Sequence, residues 1–188
     1  MNSRYLIVKE VIDRLIALVL IAIMLPILLL IGILVSFDTS SFGVFTQKRV
    51  GQFGKLFIIY KFKTIHSKTR NVSTIGKFLR KSKIDELPQL FNIIKGEMSF
   101  VGPRPDVEGY YDRLVGEERM VLQLKPGLTS EASIKYRNEG CLLAQQKDPR
   151  KYNDEVLFPD KVKLNLEYLE KMSLKEDLWI VSKTILVL

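Results

Sequence analysis

Cysteine and histidine are nearly missing from this 188-residue chain, with Cys141 and His66 the single example of each. One thiol excludes an internal disulfide, and one His with one Cys is too few for a dedicated zinc site, so both read as structural residues. Nothing recurs at a period of about 20 to 50 residues and no low-complexity tract is present, which excludes a solenoid. Acidic residues are also short, 21 against 29 lysines and arginines, giving a formal charge of +8. Such an excess calls for an anionic partner, whether nucleic acid, an anionic lipid surface or a phosphorylated substrate, and charge alone does not choose among them. The length suits one compact domain with an attachment better than two full domains, given typical domains of about 100 to 150 residues.

What is abundant is apolar sequence. From Leu15 to Val35 the chain reads LIALVLIAIMLPILLLIGILV without a charge. As a helix this segment rises about 31 Å, enough to cross a hydrocarbon core of about 30 Å. It is too long for a signal-peptide core, and no small-residue cleavage pattern follows it. Pro26 sits in its middle, where the missing N–H leaves the carbonyl of Ala22 without its helical donor and the ring pushes that carbonyl aside. Both flanks are basic: Lys9 and Arg14 precede the segment, with Arg4, against Glu10 and Asp13, while Lys48, Arg49, Lys55, Lys61 and Lys63 follow it against Asp38. Positive charge is retained on the cytoplasmic side. Two readings stay open on these grounds, a simple span and a re-entrant helical hairpin that turns at Pro26 and keeps both ends in the cytoplasm.

Residues 36–54 are rich in Ser, Gly and Phe and read as a loop at the membrane surface followed by turns. KLFIIYKFKTI (55–65) reads as a short strand or an extended segment. STIGKFLRKSK (73–83) places Ile75, Phe78 and Leu79 on one helical face and Lys77, Arg80, Lys81 and Lys83 around the other. That pattern suits an amphipathic helix on an anionic bilayer, or equally a surface helix packed on the domain core. In KSKIDELPQLFNIIKG (81–96), Pro88 is tolerated only in a first turn, so a helix should begin close to Asp85 and end at Gly96. Asp85 and Glu86 then stand at its positive end, and taken alone Asp85 reads as an N-cap. Downstream, SFVGPRPD (99–106) fences Arg104 between Pro103 and Pro105 after Gly102, a rigid mount for a guanidinium that could grip a phosphate in two places. A membrane segment, paired acids at a helix start, a fixed arginine and many cations together describe a membrane-surface site for a phosphorylated, lipid-linked substrate.

The string IDELPQLFNIIKGEMSFVGPRP (84–105), preceded by YKFKT (60–64) and followed by KPGLT (125–129), closely resembles the bacterial sugar transferases, the small monotopic phosphoglycosyl transferases. The resemblance runs from about Asp13 to the C-terminus. It implies a mainly α fold with a little β: a re-entrant membrane helix broken at Pro26 over residues 1–38, then a small cytoplasmic α/β catalytic domain with amphipathic interfacial helices over 39–188. The small form is expected, without the four-helix membrane domain that larger relatives add. The implied activity moves a sugar 1-phosphate from a UDP-sugar donor to undecaprenyl phosphate, releasing UMP, at the cytoplasmic face of the bacterial inner membrane, with membrane lipid as a further partner and no nucleic acid. Such a reaction begins assembly of a surface glycan.

By this resemblance Asp85 and Glu86 are the catalytic dyad, with Asp85 the nucleophile that carries the sugar phosphate as an acyl phosphate and Glu86 a ligand of Mg2+. Arg80, Arg104, Lys61, Gly102, Pro103 and Pro105 form the implied phosphate-binding set. Three departures stand out. Leu25 precedes the proline where many members have Ser. Residues 128–138 read LTSEASIKYRN, with Glu131 and Lys135 in place of apolar or amide groups, which leaves the sugar unassigned and points to this stretch for specificity. Lys63 stands where many members have Arg. The rival of another class is a membrane-anchored basic adaptor that binds anionic lipid or nucleic acid without catalysis; it needs neither the dyad nor a rigid arginine.

Basic flanks on both sides of Pro26 generate a topological expectation. Single cysteines at Ser3 and Ser40, in a Cys141→Ser background, should both resist a membrane-impermeant thiol reagent in intact cells. Labelling of Ser3→Cys alone would establish a span.

Overall fold

A computed structural model describes residues 3–187, a mainly helical chain with two small sheets, as the sequence led one to expect. The first element, α1 (Ser3–Thr39), is a single helix of about 55 Å at about 1.5 Å per residue. Lys9, Asp13, Ala17, Ile21, Leu28, Val35 and Thr39 are buried on it, recurring every one or two turns and so forming one stripe. Leu15, Val19, Ile23, Leu30, Ile33 and Phe37 are more than half exposed. An apolar surface this continuous marks a membrane or partner contact, and α1 is long and apolar enough to cross a membrane by length and composition.

The break expected at Pro26 does not interrupt the helix, which runs unbroken through it. A proline removes one N–H and displaces one carbonyl; the hydrogen bonds on either side of it persist, so a bend without a turn is a sufficient response. The two antiparallel legs of a hairpin are therefore absent from the described residues.

The chain reverses at Ser40, in the left-handed region with φ 50°, and passes so close to α1 that a Cβ on Gly43 would lie 2.3 Å from the carbonyl oxygen of Gly32. It returns as β1 (Val44–Val50), antiparallel to β2 (Leu56–Phe62), with Phe45 opposite Lys61 and Gln47 opposite Ile59. The expected strand at 55–65 is β2. The expected loop at 36–54 instead contains β1, whose VFTQKRV carries polar side chains on both faces and takes its conformation from pairing with β2.

Next comes α2 (Thr74–Lys81), started by Ser73, whose hydroxyl accepts from the Gly76 N–H at 3.0 Å. Its apolar face divides: Leu79 is buried with Ile75 beside it, and Phe78 is exposed. Most of that face is thus used for packing on the core. Beyond a short 3-10 turn lies α3 (Leu90–Lys95), ended at Gly96 with φ 77° as the sequence indicated. Asn92, fully buried, binds α3 to β2: its amide donates to the Ile58 carbonyl at 2.6 Å and to Glu97 at 2.7 Å, and accepts from the Tyr60 N–H at 3.2 Å. Two apolar clusters seat α1 on this unit. Ala17 and Ile21 pack with Ile59, Leu90, Ile93 and Met98, and Leu28 and Val35 with Phe62 and Leu79. Both sides of Pro26 are therefore docked on the same body.

β3 (Ser99–Val101) pairs in parallel with β4 (Gly127–Thr129). The rest is helical: α4 (Glu131–Lys135), α5 (Glu139–Ala144), α6 (Pro149–Tyr152), α7 (Phe158–Lys171) and α8 (Leu174–Val187). Asp177 of α8 accepts from Lys9, Tyr5 and Tyr168, tying the start of α1 to the end of the chain.

Replacing Asn92 by Ala would leave the Tyr60 N–H and the Ile58 carbonyl buried without partners. A loss of about 1–3 kcal/mol of stability is expected, measurable by unfolding in detergent. An unchanged stability would show that Asn92 does not brace β2.

Candidate active site

The backbone of the acidic pair is set by its neighbours. Lys83 adopts φ 57° and turns the chain out of α2 into a 3-10 turn, Ile84–Gln89, with α3 beginning only at Leu90. The sequence suggested an α-helix from Asp85, but Pro88 has no N–H to give the Ile84 carbonyl, so the α-helix starts beyond it. Asp85 is not a cap. The cap position of the turn is Lys83, with no side-chain cap bond, and the Asp85 Oδ1 is buried with no hydrogen-bond partner. A buried acceptor left unpaired costs on the order of 1–3 kcal/mol, so its retention has to be explained by something other than stability.

Glu86, its neighbour, is paired with two cations. Lys61 of β2 donates to Oε1 at 2.8 Å, while Arg104 donates from Nη2 to Oε1 at 2.6 Å and from Nη1 to Oε2 at 3.3 Å. Burial alone would raise the Glu86 pKa; the charges of Arg104 and Lys61 overcome it and bring it down to about 2. Asp85 moves the opposite way, raised by burial and then by the Glu86 charge beside it. Burial also lowers the Lys61 pKa, against the attraction of Glu86. Two adjacent carboxylates with pKa values driven apart are a signature of divided labour at a site.

Arg104 is mounted as the sequence indicated, and KPGLT supplies the mount. Gly102 donates to the Thr129 carbonyl at 3.0 Å and Gly127 to the Pro103 carbonyl at 2.8 Å. The two glycines meet backbone to backbone: a Cβ on Gly102 would lie 2.2 Å from the Lys125 carbonyl oxygen, and one on Gly127 2.2 Å from the Gly102 nitrogen. Gly102, Pro103 and Pro105 thus shape the loop without lining the cleft. Arg80 is held by its Nε donating to Thr64 Oγ1 at 2.7 Å.

These side chains line one cleft of about 330 Å³. Asp85, Glu86, Lys61, Arg80 and Arg104, all named from the sequence, come together there. The cleft also takes in Phe45, Gln47, Arg49, Thr64, Ile65 and Lys83. Alternation along 45, 47 and 49 was the signal that could have found the β1 residues, had β1 been recognised as a strand. Glu131 and Lys135 do not line the cleft; Lys135 sits on Asp160 of α7 at 2.6 Å.

Magnesium is usually bound by one or two carboxylates together with substrate phosphates and water. The Asp85 oxygen has no partner and Glu86 Oε2 accepts only the 3.3 Å contact from Arg104, so these are the carboxylate oxygens that could hold the ion. Among the described residues no cluster of three or more metal-binding side chains occurs, so the remaining ligands would come from a diphosphate and water.

The family model described as bacterial sugar transferase matches residues 4–188. A Bacillus subtilis protein named for N-acetylgalactosaminyl 1-phosphate transfer to undecaprenyl phosphate is 36% identical over 74% of this chain and 83% of its own length. The UDP-glucose:undecaprenyl-phosphate glucose-1-phosphate transferase of Caulobacter vibrioides is 31% identical over 94% of this chain and 68% of its own. The exopolysaccharide production protein ExoY of Sinorhizobium fredii is 32% identical over 94% and 83%.

The opposed shifts give opposite expectations for the two acids. Glu86 has a depressed folded pKa, so its contribution is present above its ordinary value of 4.5 and is lost as pH falls through about 2. Asp85 has a raised one, so its ionisation lowers stability as pH rises above 3.8. At pH 7, Glu86→Gln should destabilise by about 1–3 kcal/mol, leaving Lys61 and Arg104 unpaired, while Asp85→Asn should leave the melting temperature unchanged or raise it. A marked fall for Asp85→Asn would contradict this assignment.

Proposed function

The chain belongs to the bacterial sugar transferase family, and from that premise we propose that it transfers a sugar 1-phosphate from a UDP-sugar to undecaprenyl phosphate through a covalent intermediate on Asp85. The observation that carries this reading is the division within the dyad: Glu86 neutralised by Lys61 and Arg104, and Asp85 beside it with a buried oxygen that nothing occupies. In the first step an Asp85 carboxylate oxygen attacks the β-phosphorus. The bond from that phosphorus to the bridging oxygen breaks, and UMP leaves with the bonding pair. In the second, a phosphate oxygen of undecaprenyl phosphate attacks the same phosphorus, and Asp85 departs as a carboxylate.

Arg80 and Arg104 orient the phosphate oxygens, and Lys61 keeps Glu86 ionised. Burial raises the Asp85 pKa, which favours a reactive, poorly solvated carboxylate once cations of the cleft hold it ionised. Magnesium, held by Glu86 and phosphate oxygens, would offset the charge that otherwise repels a carboxylate from a diphosphate.

The packing of α1 supports a monotopic placement on the cytoplasmic face of the inner membrane. Leu28 and Val35 lie against α2, whose Lys77, Arg80 and Lys81 are exposed. A transmembrane α1 would carry these cations into hydrocarbon, at about 2.5–3.5 kcal/mol each near the centre. With α1 lying along the interface, its outer apolar face meets lipid and both ends stay on one side. The cleft then stands at the height of a lipid phosphate.

A panel of UDP-sugars, with undecaprenyl phosphate and magnesium, should give UMP release with at least one sugar. Asp85→Asn should abolish turnover, and Glu86→Gln should retain a slow rate with a raised magnesium requirement. Activity should rise with pH through a value above 3.8, because Asp85 must be ionised to attack. No release with any sugar would favour the adaptor reading, and near-normal turnover by Asp85→Asn would remove Asp85 as nucleophile.

A further inference from the structure

The cations of the cleft are not all committed within the protein. Lys61 and Arg104 serve Glu86, and the Nε of Arg80 is held by the neutral hydroxyl of Thr64. Arg49 is the cation of the cleft with a buried donor left unmet. Its Nη2 donates to the neutral Gln47 Oε1 at 2.7 Å, its Nη1 lies 3.7 Å from Asp106 Oδ1, outside hydrogen-bond range, and its Nε is buried with no partner. The side chain is only 20% exposed and lines the cleft. A mostly buried guanidinium with donors unused and an open cleft in front of it suits an anion that enters from outside.

Its frame argues for a particular phosphate. The Val50 N–H donates to the Asp106 carbonyl at 2.9 Å, joining β1 to the proline-stiffened loop that carries Arg104. Arg49 and Arg104 are thereby held on one rigid support. Arg49 lies 3.7 Å from Asp106 of that loop, whereas Arg80, on the helix that leads through Lys83 into Asp85, is tied to Thr64. Arg80 and Arg49 therefore hang on different supports. In an in-line displacement the leaving oxygen lies opposite the nucleophile, so the phosphate that Asp85 takes belongs with Arg80 and the departing one with the Arg104–Arg49 frame.

Resting on the transfer reading above, we propose that Arg49, held by Gln47 and Asp106, binds the α-phosphate of the departing nucleoside monophosphate. Negative charge grows on that phosphate as the bond to the β-phosphorus breaks. A guanidinium already fixed in place stabilises it without reorganising.

The test uses the full chain in detergent, with Arg49→Gln, Arg49→Lys and Arg80→Gln beside wild type, and UMP or UDP alone as calorimetric probes. Arg49→Gln should weaken UMP binding about tenfold to a hundredfold, the range of a charge-assisted hydrogen-bonded contact. Arg49→Lys should recover part of it, since the charge stays and the fork is lost. Arg80→Gln should lower UDP affinity more than UMP affinity. In half-reactions with labelled donor, Arg49→Gln should slow loading of Asp85 far more than transfer from loaded Asp85 to undecaprenyl phosphate.

UMP affinity equal to wild type in a folded Arg49→Gln, or both half-reactions slowed alike, would overturn the assignment. If Arg49→Gln fails to fold, Arg49→Lys decides: a wild-type UMP affinity there overturns it, and a weakened one supports it. If wild type binds UMP yet loads no label from any donor, the transfer reading fails, and the binding measurements alone decide for Arg49.

Discussion

Neutralisation of Glu86 is the constraint on which the site depends. Two carboxylates adjacent in sequence cannot both be buried and charged unless counter-charge is supplied, and Lys61 and Arg104 make direct ion pairs with only one of them. Each partner comes from a different part of the chain: Lys61 from the β-ribbon, Arg104 from a loop stiffened by two prolines and backed by Gly127. The folding of these separate segments is therefore tested at one carboxylate. Asp85 gains no such partner, and its buried oxygen stays unpaired beside a satisfied neighbour.

The long apolar helix and the charged cleft are parts of one packing problem. β2 presents Ile59 and Phe62 to α1 and Lys61 to Glu86, so a single strand connects the long apolar helix to the acidic pair. Asn92 fixes α3 against that same strand, which sets the 3-10 turn in register with Lys61. A shift of β2 by one residue would move Ile59 off α1 and Lys61 off Glu86 together.

Much of this was legible from residues whose chemistry is local. Gly96 ends a helix because a left-handed residue is needed there, and Pro103 and Pro105 stiffen the Arg104 loop by their own rings. The apolar run from Leu15 to Val35 declares its need for lipid or partner by composition. What was not legible depends on pairing across the chain. β1 has no apolar alternation and exists because β2 lies beside it, so Arg49 and Gln47 went unassigned with it. The N-cap reading of Asp85 failed because Lys83 turns the chain before it, and the backbone of Lys83 has no sequence signature. Pro26 suggested a hairpin, but both flanking halves of α1 find buried partners on the same body, and a continuous helix satisfies them.

The central claim is that Asp85, and not its satisfied neighbour, forms the bond to phosphorus. Its most direct measurement is mass spectrometry of proteolytic peptides after brief incubation with a turned-over UDP-sugar and magnesium, without lipid acceptor, under conditions that preserve acyl phosphates. One sugar-phosphate adduct is expected, localised by fragmentation to Asp85. An adduct on Glu86, or turnover with no adduct on either acid, would contradict it.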